Sequence, residues 1–415
     1  MLSALYLLLY LACGVVITRM LLPRHSPVTR VWLGLSLGLL LLMWLPALCA
    51  MLMRFTLAAH WTALVPLALL TGGSVLLRDR HAVRRWDAEE SRFLWQCAMV
   101  VLPLTVLGGY LQYTHCLRPD EWGGLSVGQS TYGDLPMHLA FITSLPDNAF
   151  PPDYPFFPGT QLSYPFLTDS LSSSLLMMGW SLQACVVIPG TLMMALCYLG
   201  VMVLARDMTA GRKAIVIAAL LFFLNGGLGF LYDFDQAGGT EWDGTLTVWK
   251  RIESILTGYY TTPTNQPEPN NLRWSNVIAD LMIPQRTLLG GWCMVLPCFY
   301  LLWTAFDRSC REERGGLRPL VLLGVWGGAL PLIHTHSFLA LGLCSAGWMG
   351  YDLIHEKALR GKLLKRYLLY ALIAVGLAAP QLICFTFRQA FSGQAGQGFL
   401  SFHFNWVNNS SDGGL

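Results

Sequence analysis

Apolar runs of membrane-spanning length recur along the whole chain, and they constrain its fold more than any other feature. Ten such runs lie at about residues 2–22, 31–53, 62–78, 93–112, 183–205, 214–232, 288–306, 319–333, 337–354 and 367–385. A helix of roughly 20 apolar residues crosses the hydrocarbon core of a bilayer. Since 54% of the residues are hydrophobic and only 12% are charged, we predict an all-α, polytopic membrane protein with about ten transmembrane helices.

The first run and the region 319–354 each allow more than one interpretation. Run 2–22 has no basic segment before it and no small-residue cleavage site after it, so we expect a retained helix rather than a signal peptide. Region 319–354 is too long for one span and short for two. We therefore place a turn near residues 334–337.

The basic residues indicate how the spans are oriented. Twenty of the 27 lysines and arginines lie in five loops, near residues 19–30, 78–92, 206–213, 308–318 and 357–366. All five loops fall on one side, predicted to be cytoplasmic, if segment 166–180 does not cross the membrane. That segment is short and carries a threonine, an aspartate and four serines, which favours an interfacial or re-entrant helix.

The same layout places two long loops on the outer side, at about 113–182 and 233–287. The outer side then carries fourteen of the 24 acidic residues and seven basic ones. Neither loop has enough strand pattern for a separate soluble domain. We expect the outer face to be acidic, polar and large enough to hold a site.

Several chemistries have no support in the sequence. The chain has no phosphate-binding GxxxxGK[ST], no dinucleotide-binding glycine pattern and no HExxH. Its basic residues do not cluster as on a nucleic-acid surface. The 11 cysteines show no CxxC zinc pattern or disulfide framework. Most fall in apolar spans, where thiols act as small hydrophobes, and only Cys116 is placed near the outer surface.

The polar stretch 132–169 carries the strongest candidate residues. Asp134 and His138 are four residues apart, so a helix over 135–145 would present both on one face. Asp134 could act as a base or bind a divalent cation, and it could also cap the helix before Leu135 and Pro136. These two interpretations are compatible. His138 could bind phosphate or help to hold a metal, or be a solvated polar residue.

Arg286 lies in IPQRTLLGG, at the outer end of the run that starts near 288. A planar guanidinium at this depth suits a lipid-linked phosphate. The alternative is an interfacial anchor that reaches the headgroups. The neighbouring Gln285, Gly290 and Gly291 favour the functional interpretation.

His334 and His336 flank a threonine in LPLIHTHSF, inside an apolar region. On a continuous helix, residues two apart point to nearly opposite sides and could not bind one ion together, whereas a turn would allow it. Polar groups in apolar segments tend to face a cavity or a partner. Substrate or phosphate contact, metal binding and a structural role all remain open.

The motifs together resemble bacterial integral membrane proteins that are grouped with the GT-C superfamily of membrane glycosyltransferases. The resemblance rests on GDLPMHL, FPPDYPFFPG, LSYPFL, IPQRTLLGG and LPLIHTHSF, and on a long first outer loop with two juxtamembrane helices, here about 134–145 and 166–180. It covers residues 93–385. It implies a GT-C-like module there, extra transmembrane helices at 1–92 and an outer segment at 386–415, whose lack of a closing helix is typical of a fragment of a longer protein.

By this resemblance Asp134 matches the first-loop acidic residue that serves as catalytic base or metal contact, and Arg286 matches a donor-phosphate contact. Substrate-binding candidates are His138, Gln285, Arg286, His334, His336 and Tyr164. Many relatives carry an Asp-Glu pair at the catalytic position, where this chain has Asp134 followed by leucine. Asp120 and Glu121 supply an alternative acidic pair upstream. The usual His-Pro-Pro element is replaced by Tyr164-Pro165-Phe166.

The resemblance implies inverting transfer of a sugar from a polyprenyl-phosphate donor on the extracytoplasmic side of a bacterial plasma membrane. Expected partners are the lipid-linked donor, membrane lipids and an acceptor glycan, lipid or protein, with no nucleic acid. A divalent metal, Mg²⁺ or Mn²⁺, could take part at Asp134. The alternative is a non-catalytic transporter, flippase or assembly scaffold for polysaccharide lipids, although the sequence shows no paired broken helices in symmetric halves.

Overall fold

The structure is a computed structural model that describes residues 1–78, 83–128, 131, 133–208, 211–226, 247, 249–250, 253, 276–308, 311–312 and 314–388. In this part of the chain, eight helices are long and apolar enough to cross a membrane. The prediction of an all-α polytopic membrane protein is therefore confirmed at that level.

The α-helices with described bounds are α1 (Leu2–Leu21), α2 (Pro27–Met53), α3 (Leu57–Thr62), α4 (Leu64–Leu76), α5 (Ala88–Leu111), α6 (Leu135–Ser144), α7 (Leu167–Met177), α8 (Leu182–Met208), α9 (Arg212–Phe223), α10 (Arg286–Phe306), α11 (Leu317–Gly328), α12 (Pro331–His355) and α13 (Arg360–Gln381). Short π-helical turns occupy Gln112–Cys116, Val277–Met282 and Leu382–Thr386, and a 3₁₀ turn occupies Lys357–Leu359. Two antiparallel hairpins pair β1 (Leu117–Pro119) with β2 (Leu125–Val127), and β3 (Asp153–Tyr154) with β4 (Phe157–Gln161).

The predicted number of ten spans is not confirmed. Run 214–232 begins in α9, and its part from residue 227 onward lies outside the described residues. Run 319–333 corresponds to α11, whose 12 residues cover about 18 Å at 1.5 Å per residue, short of a bilayer core of about 30 Å. The outer loop 233–287 is described only in part, and most of segment 386–415 lies outside the description.

The turn predicted at 334–337 lies earlier in the chain. Helix α11 ends at Gly328, and Pro331 opens α12 because its fixed φ suits a first helical turn. Within α12, His334 has extended backbone angles (φ −162°, ψ 102°) that kink the helix. The chain therefore has both a break and a kink where the sequence predicts one turn.

Close packing of α1 on α2 depends on glycine. A Cβ atom on Gly14 would lie 2.2 Å from the carbonyl oxygen of Gly34, and one on Gly38 would lie 2.6 Å from the Cα of Leu11. Small residues allow helix backbones to approach closely in a membrane. Helix α7 packs against both helices of this pair, and α8 packs against α2.

The basic loops meet at one end of the bundle, which we call the basic end. Arg206 of α8 pairs with Glu90 of α5 at 3.1 Å, and Arg314 pairs with Asp207 at 2.7 Å. Further arginine-to-carbonyl bonds join Arg30 to Arg84, Arg318 to Leu77 and Arg366 to Ala305. Loops that the charge pattern predicts on one side of the membrane therefore share one end of the molecule.

Helix α7 is the centre of the opposite half of the molecule. Residues 167–175 are all buried, and the helix packs against α1, α2, α6, α8, α10 and α12. Three of its four serines, Ser172, Ser173 and Ser174, bond through their hydroxyls to carbonyls, which reduces the cost of burying them. The segment predicted as interfacial or re-entrant is thus an interior helix of 11 residues, which is too short to span the bilayer.

A glycine ends α7 sharply. Gly179 has a positive φ of 102°, a conformation that favours glycine. The Trp180 N–H donates to Leu175 and the Gly179 N–H donates to Leu176, which is the Schellman arrangement. The chain reverses there and enters α8.

Candidate functional site

A buried network of charged and polar side chains joins α6, α7 and α10. The Arg286 Nε–H donates to Asp169 Oδ1 at 3.2 Å, and the His138 Nδ1 lies 2.8 Å from Asp169 Oδ2. Asp169 and His138 are fully buried and Arg286 is 2% exposed. Burying such a pair is costly unless both charges are well bonded, so this network fixes the three helices relative to one another.

The remaining donors of Arg286 attach α10 to α7 and α8. Its Nη2 donates to Ser172 Oγ at 2.6 Å, and its Nη1 donates to the Val186 carbonyl at 3.3 Å. The Ser172 hydroxyl in turn donates to the Cys185 carbonyl. The sequence predicts Arg286 to contact a donor phosphate or to anchor at the interface. Instead, the structure buries it against a carboxylate, where its charge is balanced within the protein.

The carboxylate fixes the orientation of the His138 ring. Because the Asp169 carboxylate accepts, Nδ1 is the nitrogen that donates. The opposite nitrogen, Nε2, is buried and has no hydrogen-bond partner among the described residues. The ring packs edge-on against Phe141 and Tyr164, with centroids 6.1 Å and 5.8 Å away. His138 is thus part of the buried network rather than a solvated residue.

Two glycines let α10 approach this network. A Cβ on Gly290 would lie 2.2 Å from Thr168 Oγ1, and one on Gly291 would lie 2.4 Å from the His334 Cβ. The glycines noted beside Arg286 in the sequence therefore serve close packing against α7 and the α12 kink. They bring His334 against α10 without placing it in the hydrogen-bond network of Arg286.

Tyr164 lies between the buried network and the outer loop. Its hydroxyl lies 3.4 Å from Thr287 Oγ1 on α10. Burial raises the pKa of Tyr164, the bond to Thr287 lowers it, and the nearby carboxylates of Asp134 and Asp169 raise it further. The net direction is upward, so the phenol stays protonated at physiological pH.

Asp134 marks the outer limit of the site. It is an exposed residue at the N-cap position of α6, where its side chain makes no capping bond. Its backbone carbonyl accepts from the His138 N–H at 3.2 Å. The predicted N-cap position is therefore present without the capping bond, and the carboxylate lies one helical turn from His138 and near Tyr164.

The other predicted residues lie around this site. Gln285 occupies the N-cap position of α10 without a side-chain capping bond. His334 Nδ1 lies 2.8 Å from Ser337 Oγ, and the exposed His336 ring has its centroid 5.4 Å from that of His334. No group of three His, Cys, Asp or Glu residues suited to a metal occurs within the described part of the chain.

The alternative acidic pair lies in the turn of the β1–β2 hairpin. Asp120 Oδ1 accepts from the backbone N–H groups of Trp122 and Gly124 at 2.9 Å and 2.6 Å. This use of the carboxylate is typical of an aspartate that closes a tight turn. Glu121 is exposed beside it. Cys116, which leads into β1, is buried rather than near the surface.

Asp169 is the residue that the sequence reasoning leaves out of the site. A signal was available, because Asp169 is the only acidic residue in segment 166–180, and a carboxylate in a segment that packs within a membrane needs a partner. The serines and the threonine of this segment instead favour the prediction of a helix at the membrane interface. Comparison with known proteins gives no further guide, since no family model, curated protein or solved structure matches the chain.

Proposed function

We propose that the protein is a membrane glycosyltransferase that moves a sugar from a polyprenyl-phosphate donor to an acceptor hydroxyl. The observation that carries this proposal is the position of Asp134: an exposed carboxylate, at the end of the bundle opposite the basic loops, on a helix held by the His138–Asp169–Arg286 network. Catalytic groups require such rigid support, because small displacements lower the rate steeply. We assign this end to the extracytoplasmic side of a bacterial plasma membrane.

In this mechanism Asp134 is the catalytic base. It accepts the proton of the acceptor hydroxyl as the acceptor oxygen bonds to the anomeric carbon of the sugar. The bond from that carbon to the phosphate oxygen breaks, and its electron pair leaves with the polyprenyl phosphate. Attack from the face opposite the leaving group inverts the configuration at the anomeric carbon.

The buried network has a positioning role in this proposal. Arg286 is bonded to Asp169, Ser172 and Val186, so in this proposal it holds α10 against α7 and α8 rather than contacting the donor phosphate. In this proposal Tyr164, which is protonated and coupled electrostatically to Asp134, donates a hydrogen bond to bound substrate. Its proximity to both carboxylates supports this role.

In this proposal a divalent cation would lie beside Asp134. No group of three His, Cys, Asp or Glu residues suited to a metal occurs in the described part of the chain, but Mg²⁺ commonly uses one or two carboxylates together with waters and substrate phosphates. Asp134 is the residue that would hold Mg²⁺ or Mn²⁺, and the cation would balance charge on the donor phosphate.

The β3–β4 hairpin supports a lipid donor. Tyr154 of this hairpin packs against Phe141 of α6 with ring centroids 5.7 Å apart. At its tip Phe156 and Phe157 are 52% and 67% exposed. Exposed aromatic residues at the end of a membrane bundle favour the bilayer interface, where the isoprenoid chain of a donor would lie.

The second candidate is a transporter, flippase or scaffold for polysaccharide lipids. It is favoured by the buried ionisable residues, since such residues inside a membrane bundle often line a transport path. Both candidates use the same lipid substrate and differ in whether the sugar–phosphate bond is cleaved.

A proteoliposome assay separates the two candidates. The chain is supplied with a panel of polyprenyl phosphates that carry radiolabelled sugars and with candidate acceptors. The glycosyltransferase proposal predicts that label leaves the lipid fraction and appears in the acceptor. Movement of intact donor between leaflets without cleavage would establish the transport function instead and refute catalysis.

A further inference from the structure

A cavity lies at the basic end, remote from Asp134 in the fold. It has a volume of about 450 Å³ and lies between the α1–α2 loop and the start of α11. Small-molecule sites typically have volumes of about 300–1,000 Å³. Nothing in the proposed transfer reaction requires this cavity.

The polar lining of the cavity is cationic. Arg24, Arg314 and Arg318 line it, and the lining residues that the structure describes include no aspartate or glutamate. Arg314 is held in place by Asp207 at 2.7 Å, with the two side chains only 17% and 10% exposed. Guanidinium groups match the geometry of phosphate oxygens, so the lining favours a phosphate-bearing anion.

A buried histidine adds a hydrogen-bond donor. His25 lines the cavity at 1% exposure. Arg314 Nη1 donates to the Tyr300 hydroxyl at 3.4 Å, and this hydroxyl lies 2.8 Å from His25 Nδ1. His25 Nε2 is buried and has no hydrogen-bond partner in the described part of the chain, so in the tautomer with Nδ1 accepting from Tyr300 it carries a proton without an acceptor. A buried donor left unpaired is costly, and a phosphate oxygen would satisfy it.

The charge state of His25 agrees with this assignment. Burial, together with the neighbouring charges of Arg314, Arg30 and Arg24, lowers the pKa of His25 to about 3. The ring is therefore neutral at physiological pH. Its contribution to an anion site is a directed N–H group, while the arginines supply the positive charge.

The other wall of the cavity is apolar. Leu21 and Leu22 close α1, and Leu317 and Pro319 open α11. These leucines lie at the ends of apolar helices, where acyl chains begin. A free phosphate ion would gain nothing from this wall, whereas a phospholipid would contact both parts of the lining.

We propose that this cavity binds the phosphate headgroup of an anionic phospholipid from the leaflet at the basic end, with Arg24, Arg314, Arg318 and His25 as its ligands. Basic pockets between membrane helices are typical headgroup sites. The bound lipid would join α1, the following loop and α11, and so stabilise the basic end.

The test is a titration of the purified chain in detergent with fluorescent phosphatidylglycerol. The variants are Arg24→Gln, the double variant Arg24→Gln/Arg318→Gln, and a control, Arg308→Gln. The control removes a charge at the same end of the bundle from a side chain that is 85% exposed and does not line the cavity. Helix content and elution volume establish that each variant folds.

We expect the double variant to bind the lipid at least on the order of tenfold more weakly, since it removes two guanidinium groups that would bond to the phosphate. Arg24→Gln should give a smaller loss and Arg308→Gln less than about a twofold loss. Equal losses in the double variant and in Arg308→Gln would overturn the site. Full displacement of the lipid by equimolar inorganic phosphate would support the phosphate chemistry and overturn the lipid as its source.

Discussion

At the level of single residues, Asp169 and Arg286 form a buried ion pair in the half of the molecule opposite the basic end. Each side chain is almost completely buried, and each bonds to groups on other helices. A pair of this kind contributes less through its net attraction than through the penalty for leaving one charge alone. Its main effect is to fix the position of α6, and with it Asp134.

Asp169→Asn should therefore destabilise the protein strongly. Removal of the negative charge leaves the Arg286 guanidinium buried without its counter-charge, for which we expect a loss of about 3–5 kcal/mol in the free energy of unfolding. Denaturation in mixed micelles measures it. The control Asp147→Asn changes an exposed aspartate at the same end and should shift stability by less than about 0.5 kcal/mol.

The double variant Asp169→Leu/Arg286→Met provides the complementary result. Because it removes both charges together, it should recover much of the stability that Asp169→Asn loses. If the double variant were as unstable as the sum of its single variants, the two side chains would not form the pair described here.

Tyr164 gives a pH-dependent prediction. Burial raises its pKa above the ordinary value of 10.0, so the folded protein holds the phenol proton more tightly than the unfolded chain. This contribution is fully present below pH 10 and is lost as the pH rises through the raised folded-state pKa. Wild type should therefore lose more thermal stability than Tyr164→Phe between about pH 9 and about pH 11.

Melting temperatures across this pH range provide the measurement. Tyr113→Phe is the matched control, because it removes a phenol from an exposed position and should retain the alkaline loss seen in wild type. An equal loss in wild type and Tyr164→Phe would show that Tyr164 is not the group responsible.

The sequence predicts the positions of single residues on their helices where a local spacing pattern is present. The four-residue spacing correctly places Asp134 and His138 on successive turns of α6, and Arg286 begins α10 close to the predicted start. The pairing of His138 and Arg286 through Asp169 joins residues 31 and 117 positions apart. Helical periodicity carries no information on contacts at that separation.

At the level of elements, the approach of α10 to α7 and α12 depends on two glycines. The hydrogen atoms of Gly290 and Gly291 leave room for Thr168 and His334, and a methyl group would overlap both. Close helix packing in membranes commonly uses small residues in this way. The relative placement of these helices is therefore sensitive to one methyl group.

Gly290→Ala and Gly291→Ala should each destabilise the protein by about 1–3 kcal/mol, the usual cost of overpacking. Gly342→Ala in α12 is the control, because a Cβ there meets nothing within 4 Å. The free energy of unfolding of the three variants gives the comparison. Stability at or above wild type for Gly291→Ala would contradict the close contact with His334.

Helix existence was predictable from apolar runs, but helix ends were less so. The sequence places one turn at 334–337, whereas the structure has a break after Gly328 and a kink at His334. Both the break and the kink occur in a region that is largely apolar, so a hydropathy profile does not locate either of them. The burial of α7 could not be predicted from the sequence either, because its serines give the segment the composition of a solvent-exposed helix.

At the level of the whole molecule, charge distribution divides the protein into two ends. Arginines from four of the five basic loops bond to neighbouring segments at the basic end, while α6, the two hairpins and Asp134 lie at the other. The positive-inside pattern anticipated this division from the sequence alone. This prediction succeeded because it depends on how many basic residues each loop carries and not on any particular contact.

Reporter fusions test the topology. If α7, with 11 residues, is too short to cross the membrane, fusions after Lys213 and after Arg308 should both be cytoplasmic, and a fusion after Asp147 should lie outside. Alkaline phosphatase and green fluorescent protein at each position report the two sides. An external Lys213 fusion would mean that the segment containing α7 crosses the bilayer, and it would invert the later half of the chain.

The most direct test of the central claim compares sugar-transfer rates of Asp134→Asn and Asp147→Asn with wild type at saturating donor. Both variants replace one exposed outer carboxylate by an amide. If Asp134 is the base, Asp134→Asn should lose about 10²–10⁴-fold in turnover while its affinity for donor changes little, and Asp147→Asn should retain the wild-type rate. Transfer by Asp134→Asn at the wild-type rate would contradict the claim.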